Sequence, residues 1–195
     1  MWFDDATIYQ IYPLGLCGAP LQNDGSDQTG EHRILRVLDW VKHIKKLGAT
    51  CVLFNPLFDS DAHGYDTRDY NRVDPRLGTK EDFQAVCKAL HEAGIRVMLD
   101  GVFNHQGFVS RYFNGDGSYE SVGAVQSQDS PYYPWYHFSH WPDKYDSWWG
   151  IRTLPAVEES PPSYVDFIID GKDSIIRRWL RAGASGLSLI HISEP

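Results

Sequence analysis

Two short polar stretches hold the residue types that could bind a sugar. They are His63 to Tyr70, with the sequence HGYDTRDY, and Asp100 to His105, with the sequence DGVFNH. A tyrosine ring can stack on the apolar face of a sugar, while carboxylate, amide and imidazole groups can bond to its hydroxyls. Each stretch lies past the end of an apolar run, and barrel enzymes place their active sites at the C-terminal ends of their strands. The two stretches therefore predict a carbohydrate-binding site.

Three apolar runs predict the buried strands that would position these stretches. They span Ile8 to Tyr12, Cys51 to Phe54 and Ile95 to Leu99, and they end at Pro13, at Asn55-Pro56 and at Asp100. Strands that are apolar along their whole length are typical of parallel sheets covered on both faces.

Two amphipathic helices are predicted between these strands. The first spans Arg33 to Leu47 and ends at Gly48. The second has Thr79 as its N-cap, with Asp82 three residues later, and ends at Gly94. Strands joined through helices pair in parallel, so the order of elements predicts an α/β barrel or a doubly wound sheet.

The regular pattern stops between Asn104 and Tyr164. Aromatic residues concentrate there, among many Pro, Gly, Ser and Asp residues. So long an excursion is usually functional, and we interpret it as a small subdomain. Its aromatics either line a sugar-binding groove or pack an irregular segment. Helical periodicity returns over Asp173 to Ala182, and a fourth strand is predicted to begin near Gly186.

Composition excludes several classes of protein. A formal net charge of -8 argues against nucleic-acid and anionic membrane partners. The first five residues lack a basic and apolar leader, and no segment approaches 18 apolar residues, so we expect a cytoplasmic protein without a membrane span. Three cysteines, Cys17, Cys51 and Cys87, are expected to be reduced core residues.

Several segments together resemble one known family. DGVFNH resembles the first signature motif of the family 13 glycoside hydrolases, the α-amylase family. Ile8 to Pro13 (IYQIYP) resembles the family's opening strand, Gly64 to Pro75 its second-strand loop, and Gly94 to Asp100 (GIRVMLD) the approach to the motif. The cyclomaltodextrinase, neopullulanase and intracellular α-amylase types are the most similar. The resemblance implies an α/β fold, an incomplete (β/α)8 TIM barrel with a loop subdomain inserted after the third strand.

The resemblance also implies roles for individual residues. Tyr65 would stack against the sugar at the cleavage site, Asp66 would support it, and His105 would hydrogen-bond a sugar hydroxyl. Asp100 would brace an arginine of the family's second motif, or else cap a nearby loop. Asn104 occupies a position that ligates Ca²⁺ in many family members, although a turn-forming role fits it as well. No cofactor is required.

Other candidate sites have simpler explanations. Asn23, Asp24 and Asp27 could form a calcium loop, but such clusters are usually turns. His137 and His140 could ligate a metal, yet a solvated or stacked role fits them better. The stretch Leu154 to Glu158 (LPAVE) resembles a family motif but has Glu158 in place of the usual Asn.

The resemblance stops at Gly186. Retaining glycosidases need a nucleophile and an acid/base carboxyl about 5 to 5.5 Å apart, which in this family follow strands four and five. We therefore expect no catalytic residue in this chain. The last nine residues, LSLIHISEP, resemble the translation of a transposase adapter used in sequencing libraries, with natural C-terminal variation as the alternative.

The chain therefore divides into four predicted parts. Residues 1–105 form the first part of a catalytic barrel, with strands one to three and helices one and two. Residues 106–164 form the loop subdomain, 165–186 return to the barrel with helix three and the start of strand four, and 187–195 are a non-native tail.

The functional hypothesis is a parent enzyme that acts on α-glucosidic linkages of starch-like glucans by a retaining mechanism, with α-glucan or maltooligosaccharide as its substrate. The alternatives are a non-catalytic carbohydrate-binding relative and an unrelated α/β domain. Linkage preference, hydrolysis versus transfer, and oligomeric state stay open.

Overall fold

The computed structural model describes residues 2–26 and 28–189. The strands in that part of the chain are β1 (Ile8–Ile11), β2 (Cys51–Phe54), β3 (Phe58–Ser60), β4 (Thr67–Val73), β5 (Arg96–Asp100), β6 (Phe138–His140), β7 (Lys144–Tyr145) and β8 (Gly186–Ser188). The α-helices are α1 (Pro13–Leu16), α2 (Val41–Lys46), α3 (Lys80–Glu92), α4 (Pro162–Val165) and α5 (Ile175–Ala182).

A four-stranded parallel sheet in the order β1-β2-β5-β8 forms the centre of the fold. Its register places Ile11 opposite Phe54, and Phe54 opposite Leu99. The four predicted barrel strands therefore form and pair in parallel, which confirms the α/β class. Because β8 pairs with β5, the third barrel strand has a neighbour on each side and does not lie at an edge of the sheet.

The two faces of the sheet are covered by different parts of the chain. One face packs into the main core with residues of the helices, and it contributes Ile11, Val52, Phe54, Val97 and Leu99. On the other face Cys51, Leu53 and Met98 form a small cluster beneath Trp2 and Ala6. All three cysteines are buried free thiols. Burial raises the pKa of the Cys17 thiol to about 11.

The first predicted helix is split into two kinds of helix. Residues Arg33–Trp40 form a 3-10 helix that continues into α2. With three residues per turn, positions three apart share a face, so Ile34 and Val37 point into the core while Leu38 stays partly exposed. The prediction of one α-helix over Arg33 to Leu47 is therefore wrong in its first half.

The second predicted helix forms as expected. The Thr79 hydroxyl accepts from the backbone N–H of Asp82 at 3.2 Å, and Asp82 Oδ2 accepts from the backbone N–H of Thr79 at 2.8 Å. This reciprocal capping box satisfies two amide donors at the start of α3. Gly94 then adopts a φ of 81° just past the C-terminal end, a conformation that glycine takes without strain.

The loop after the second barrel strand contains a hairpin that periodicity did not predict. β3 and β4 pair in antiparallel fashion with an irregular register. The fully buried ion pair of Arg76 and Asp74 holds the hairpin, with Arg76 Nε at 2.8 Å and Nη2 at 2.7 Å from the carboxylate oxygens. The Arg76 guanidinium also donates to the backbone oxygen of Ala62 at 2.8 Å. The hairpin is therefore tied to the loop that carries Tyr65.

The segment 106–164 contains only short elements, among them the two-stranded pair of β6 and β7. It packs through aromatic contacts, such as Tyr112 with Trp135 at 5.5 Å and Phe113 with Tyr136 at 4.9 Å between ring centroids. A π-helical turn over Asp166–Asp170 then leads from α4 towards α5. In the described part of the chain, none of the helices has the length and apolar character that crossing a bilayer would require.

The fourth barrel strand extends past the predicted start of the tail. Leu187 pairs with Leu99, and Ser188 pairs with Asp100. Strand pairing uses backbone groups, so it places few demands on side-chain identity, and it leaves the origin of these residues untested. Residues 190–195 of the predicted tail lie outside the described residues.

Candidate functional site

A chain of hydrogen bonds crosses the C-terminal end of the sheet. Gln10 Nε2, on β1, donates to Asn55 Oδ1 at 2.8 Å, and Asn55 Nδ2 donates to the Tyr65 hydroxyl at 2.6 Å. The Asp100 carboxylate, buried at the end of β5, lies near the Tyr65 hydroxyl. Burial, followed by the negative charge of Asp100, raises the pKa of Tyr65. The hydrogen bonds from Gln10 through Asn55 hold the Tyr65 hydroxyl in place.

The Asp66 carboxylate holds the loop that presents Tyr65. Its oxygens accept from the backbone N–H groups of Ala62 at 2.9 Å, His63 at 3.2 Å and Gly64 at 3.2 Å. Gly64 has a φ of 95°, and a Cβ there would lie 3.0 Å from the backbone oxygen of Pro56. Only glycine fits that turn without strain. Asp66 therefore acts here on the loop that carries Tyr65.

His105 lies buried at the other side of the same region. Its Nδ1 is 2.9 Å from Asn104 Oδ1, and its ring stacks on Trp148 with centroids 5.1 Å apart and planes 28° apart. Because an amide oxygen only accepts, this contact favours the tautomer with the proton on Nδ1. In that tautomer Nε2 is an acceptor.

The backbone between Asp100 and His105 is held by two buried phenols. The Tyr70 hydroxyl donates to the carbonyl of Val102 at 2.7 Å, and the Tyr164 hydroxyl donates to that of Phe103 at 2.6 Å. The backbone N–H of Val157 donates to the carbonyl of Asn104 at 2.9 Å. Sequence reasoning missed both tyrosines in this role, because nothing in the local sequence indicates which distant carbonyl a buried hydroxyl will meet.

These side chains surround an open cavity of about 290 Å³, lined by His63, Tyr65, His105, Trp148, Ile151 and Leu154. Tyr65 and His105 are the predicted site residues that line it, whereas Asp66, Asp100 and Asn104 do not. Ligand pockets typically combine apolar and aromatic walls with a few polar groups. This cavity therefore has the character of a binding site for a ligand with both apolar faces and hydrogen-bonding groups.

The predicted metal sites gain no support from the geometry. Across residues 2–26 and 28–189, no three His, Cys, Asp or Glu side chains come close enough together to hold an ion. The Asn104 amide oxygen contacts His105 Nδ1. Calcium at Asn104 stays a prediction.

The other candidate ligands form turns and surface contacts. Asn23 Nδ2 donates to Asp59 Oδ1 at 2.9 Å, and Asp24 Oδ1 accepts from the hydroxyl of Ser26 at 2.6 Å. Asp27 lies outside the described residues. His137 Nδ1 contacts the exposed Asp146 carboxylate at 2.9 Å.

The motif-like stretch Leu154 to Glu158 divides between cavity and surface. Leu154 lines the cavity, while the exposed Glu158 carboxylate accepts from the hydroxyl of Ser160 at 2.6 Å. The residue at which this stretch departs from the family pattern is therefore engaged in a local surface turn.

Comparison with known proteins identifies relatives across most of the chain. The model of the family described as alpha amylase, catalytic domain, matches residues 21–187. An amylopullulanase of Thermoanaerobacterium saccharolyticum is 37% identical over 155 residues, which cover 73% of this chain and 12% of that protein. A cyclomaltodextrinase of a Bacillus species is 32% identical over 194 residues, covering 87% of this chain and 29% of that protein.

Solved structures agree with the sequence comparisons. The cyclic α-maltosyl-(1→6)-maltose hydrolase of Arthrobacter globiformis, in complex with cyclic α-maltosyl-(1→6)-maltose, superimposes with a TM-score of 0.75 at 27% identity. The match covers 96% of this chain and 44% of that protein. The chain thus spans less than half the length of each of these relatives.

Proposed function

The chain belongs to the alpha amylase catalytic-domain family, and we propose that it is the substrate-side part of a glycoside hydrolase that acts on α-glucosidic linkages of starch-like glucans. In this proposal the parent protein hydrolyses or transfers an α-glucan or maltooligosaccharide by a retaining mechanism. No cofactor is required. A cytoplasmic location remains a prediction from the sequence.

The observation that carries the proposal is the convergence of Tyr65 and His105 on one cavity. They come from loops 40 residues apart in sequence and both line the same space. Tyr65 offers the face of a ring, and an aromatic face suits the apolar C–H face of a glucose ring. His105 contributes a buried ring to the cavity wall, and the family resemblance implies that its imidazole would bond a sugar hydroxyl. The two side chains would together fix one glucose ring by its face and by its edge.

Asp100 would act from below this ring. It is fully buried at the end of β5, and its charge faces the Tyr65 hydroxyl. A buried carboxylate is stable as an ion only when paired or hydrogen-bonded, and in the parent protein an arginine from the fourth strand would supply a further partner. Asp100 would therefore position other groups without attacking the sugar itself.

The chemical step requires two further carboxyl groups. A nucleophilic carboxylate would form a covalent glycosyl-enzyme intermediate as the glycosidic bond breaks, and a carboxylic acid would protonate the departing oxygen and then activate water. We place both beyond Gly186, after the fourth and fifth strands of the parent protein. The 195-residue chain would then bind the substrate without turning it over.

The proposed architecture is an incomplete (β/α)8 barrel with residues 106–164 inserted as a loop subdomain over the C-terminal ends of the strands. Contacts between the two parts support this placement. His105 and Ala156 form a β-bridge, and the backbone N–H of Val157 donates to the carbonyl of Asn104 at 2.9 Å. Trp148, Ile151 and Leu154 of this segment complete the cavity that Tyr65 and His105 begin.

Isothermal titration of the purified chain with maltoheptaose tests the binding part of the proposal, with the β-linked cellohexaose as the ligand control. We expect heat from the α-linked sugar and little from the β-linked one. Replacing Tyr65→Ala should weaken binding about tenfold, which corresponds to ~1.4 kcal/mol. The matched control is Tyr133→Ala, which removes a ring stacked on Phe138 outside the cavity. Equal affinity for both sugars, or equal effects of the two variants, would contradict the proposal.

A further inference from the structure

Trp149 presents its indole to solvent beside the cavity. It is 85% exposed, although its neighbour Trp148 lines the cavity wall. Exposing an indole forgoes a large apolar burial. In a soluble domain such an aromatic, when it lies next to a pocket, points to a contact with a ligand or a partner.

The backbone at Trp149 makes this exposure more informative. Its φ of 50° lies in the left-handed region, which a bulky residue rarely adopts. The turn around it is tied by hydrogen bonds from Gly150 N to Ser147 O at 3.2 Å and from Ile151 N to Trp148 O at 3.0 Å. Glycine or asparagine would occupy the same turn with less strain. The turn thus places a tryptophan in a backbone conformation that disfavours it, with its side chain exposed to solvent.

Trp149 is also joined to the cavity by a ladder of stacked rings. Its ring lies parallel to that of Trp148, with centroids 4.7 Å apart and planes 4° apart. Trp148 in turn stacks on His105 at 5.1 Å. Parallel stacking holds the Trp149 indole in a single orientation, so its face is a flat, preorganised surface at the rim of the site.

We propose that Trp149 is a rim platform that stacks on a glucose ring of a bound α-glucan outside the Tyr65–His105 cavity. The inference rests on the proposed function, because it needs an α-glucan in that cavity. A cavity of about 290 Å³ lies at the small end of ligand pockets, so part of a longer oligosaccharide must continue past its rim. Trp149 offers an aromatic face to that part, and it selects for long chains over short ones.

The alternative ligand for the exposed Trp149 surface is another protein. A protein partner would be expected to bury a contiguous apolar patch, whereas the turn that carries Trp149 continues through Gly150, Ile151 and Arg152, and the Arg152 guanidinium lies 5.8 Å from the Tyr145 ring. A flat exposed ring on a turn that also carries a guanidinium suits a sugar, which needs one stacking face and several hydrogen-bond partners.

The test compares maltose and maltoheptaose by isothermal titration against the wild-type chain and Trp149→Asn. Asparagine tolerates the left-handed conformation, so the substitution removes the ring and keeps the turn. We expect wild-type chain to bind maltoheptaose more tightly than maltose. Trp149→Asn should weaken the affinity for maltoheptaose about fivefold, equivalent to ~1 kcal/mol, and should leave the affinity for maltose within about twofold of the wild-type value. Trp149→Phe, which restores a ring, should recover most of the lost affinity.

Trp40→Asn is the matched control, since it removes a partly exposed indole that packs edge-on against His43. It should leave the preference for the longer sugar unchanged. An unchanged affinity of Trp149→Asn for maltoheptaose would overturn the inference while leaving the proposed function standing. An equal loss of affinity for maltose and maltoheptaose would also overturn the inference. So would a variant that loses self-association while its affinity for sugar is unchanged. Failure of the wild-type chain to bind either sugar would overturn the proposed function, and the platform with it.

Discussion

The hydroxyl of Tyr70 is expected to stabilise the fold and to hold the cavity in shape. It is buried and donates at 2.7 Å to the carbonyl of Val102, which is itself buried. Replacing Tyr70→Phe keeps the ring and its contacts with Phe103 and Tyr112. The substitution removes one hydrogen bond and leaves a buried carbonyl without that donor, which costs about 1 to 3 kcal/mol.

Urea unfolding measures this loss of stability as a shift in the midpoint concentration of urea. The comparison is valid when the slope of the unfolding free energy against urea concentration is the same for both proteins. The matched control is Tyr145→Phe, because the Tyr145 hydroxyl also donates to a backbone carbonyl, that of Arg152, at 2.8 Å but in an exposed setting. Exposed substitutions of this kind usually change stability by less than about 0.5 kcal/mol. The Tyr70 variant should therefore unfold at a clearly lower urea concentration than the Tyr145 variant.

The second readout is the site itself. Since the segment from Val102 to His105 is also held by Tyr164, the double variant Tyr70→Phe, Tyr164→Phe should lose more maltoheptaose affinity than either single variant. Two residues that hold one segment commonly show coupling of about 0.5 to 3 kcal/mol. If Tyr70→Phe cost no more stability than Tyr145→Phe, the account of how this segment is held would be wrong.

Three further predictions concern the chain as a whole. The purified chain should release no chromophore from a chromogenic maltooligosaccharide above a buffer control, because loss of a covalent nucleophile removes orders of magnitude in rate; turnover would contradict the placement of both carboxyls beyond Gly186. Burial, with the charge of Asp74, raises the pKa of Asp59 to about 6. The protonated Asp59 carboxyl therefore contributes at most about 3 kcal/mol to stability. This contribution is present below the unfolded pKa of Asp59, near 4, and is lost as the pH rises through about 6. Urea midpoints between pH 4 and 7 should therefore fall with rising pH more steeply for wild-type chain than for Asp59→Asn, and parallel curves would refute this. The chain should self-associate in size-exclusion chromatography with light scattering, because β1 lies at a sheet edge with Ile8 41% exposed; a monodisperse monomer with a sharp thermal transition would show that the edge is protected.

The strands were predictable because their signals are local. Cys51 to Phe54 and Ile95 to Leu99 are short apolar runs stopped by turn residues or a carboxylate, and they form β2 and most of β5. The capping box of Thr79 and Asp82 was equally readable, since both partners lie within one helical turn.

The hairpin of β3 and β4 could not be predicted in the same way. The sequence of β4, TRDYNRV, mixes charged and apolar residues, yet Asp69 and Tyr70 are both buried. Their partners come from far along the chain: Arg111 Nη1 lies 2.7 Å from Asp69 Oδ2. Polarity alone assigns such a stretch to a loop, because its burial depends on those distant partners.

The sequence predicted which residue types would form the candidate site, but it did not predict which residues would form the walls of the cavity. Tyr65 and His105 lie in the loops that follow the second and third barrel strands, and parallel pairing brings those loops to the same end of the sheet. Trp148 reaches the cavity through an irregular excursion more than 40 residues past β5, and periodicity gives no information about where such a segment folds back. Its stacking on His105 is a property of the folded chain alone.

A crystal structure of the 195-residue chain in complex with a maltooligosaccharide tests the central claim most directly. The account predicts a glucose ring in the cavity, with one face against the Tyr65 ring and a hydroxyl within hydrogen-bond distance of His105 Nε2. Density for the sugar at another surface, or an empty cavity at a concentration where titration shows binding, would contradict it.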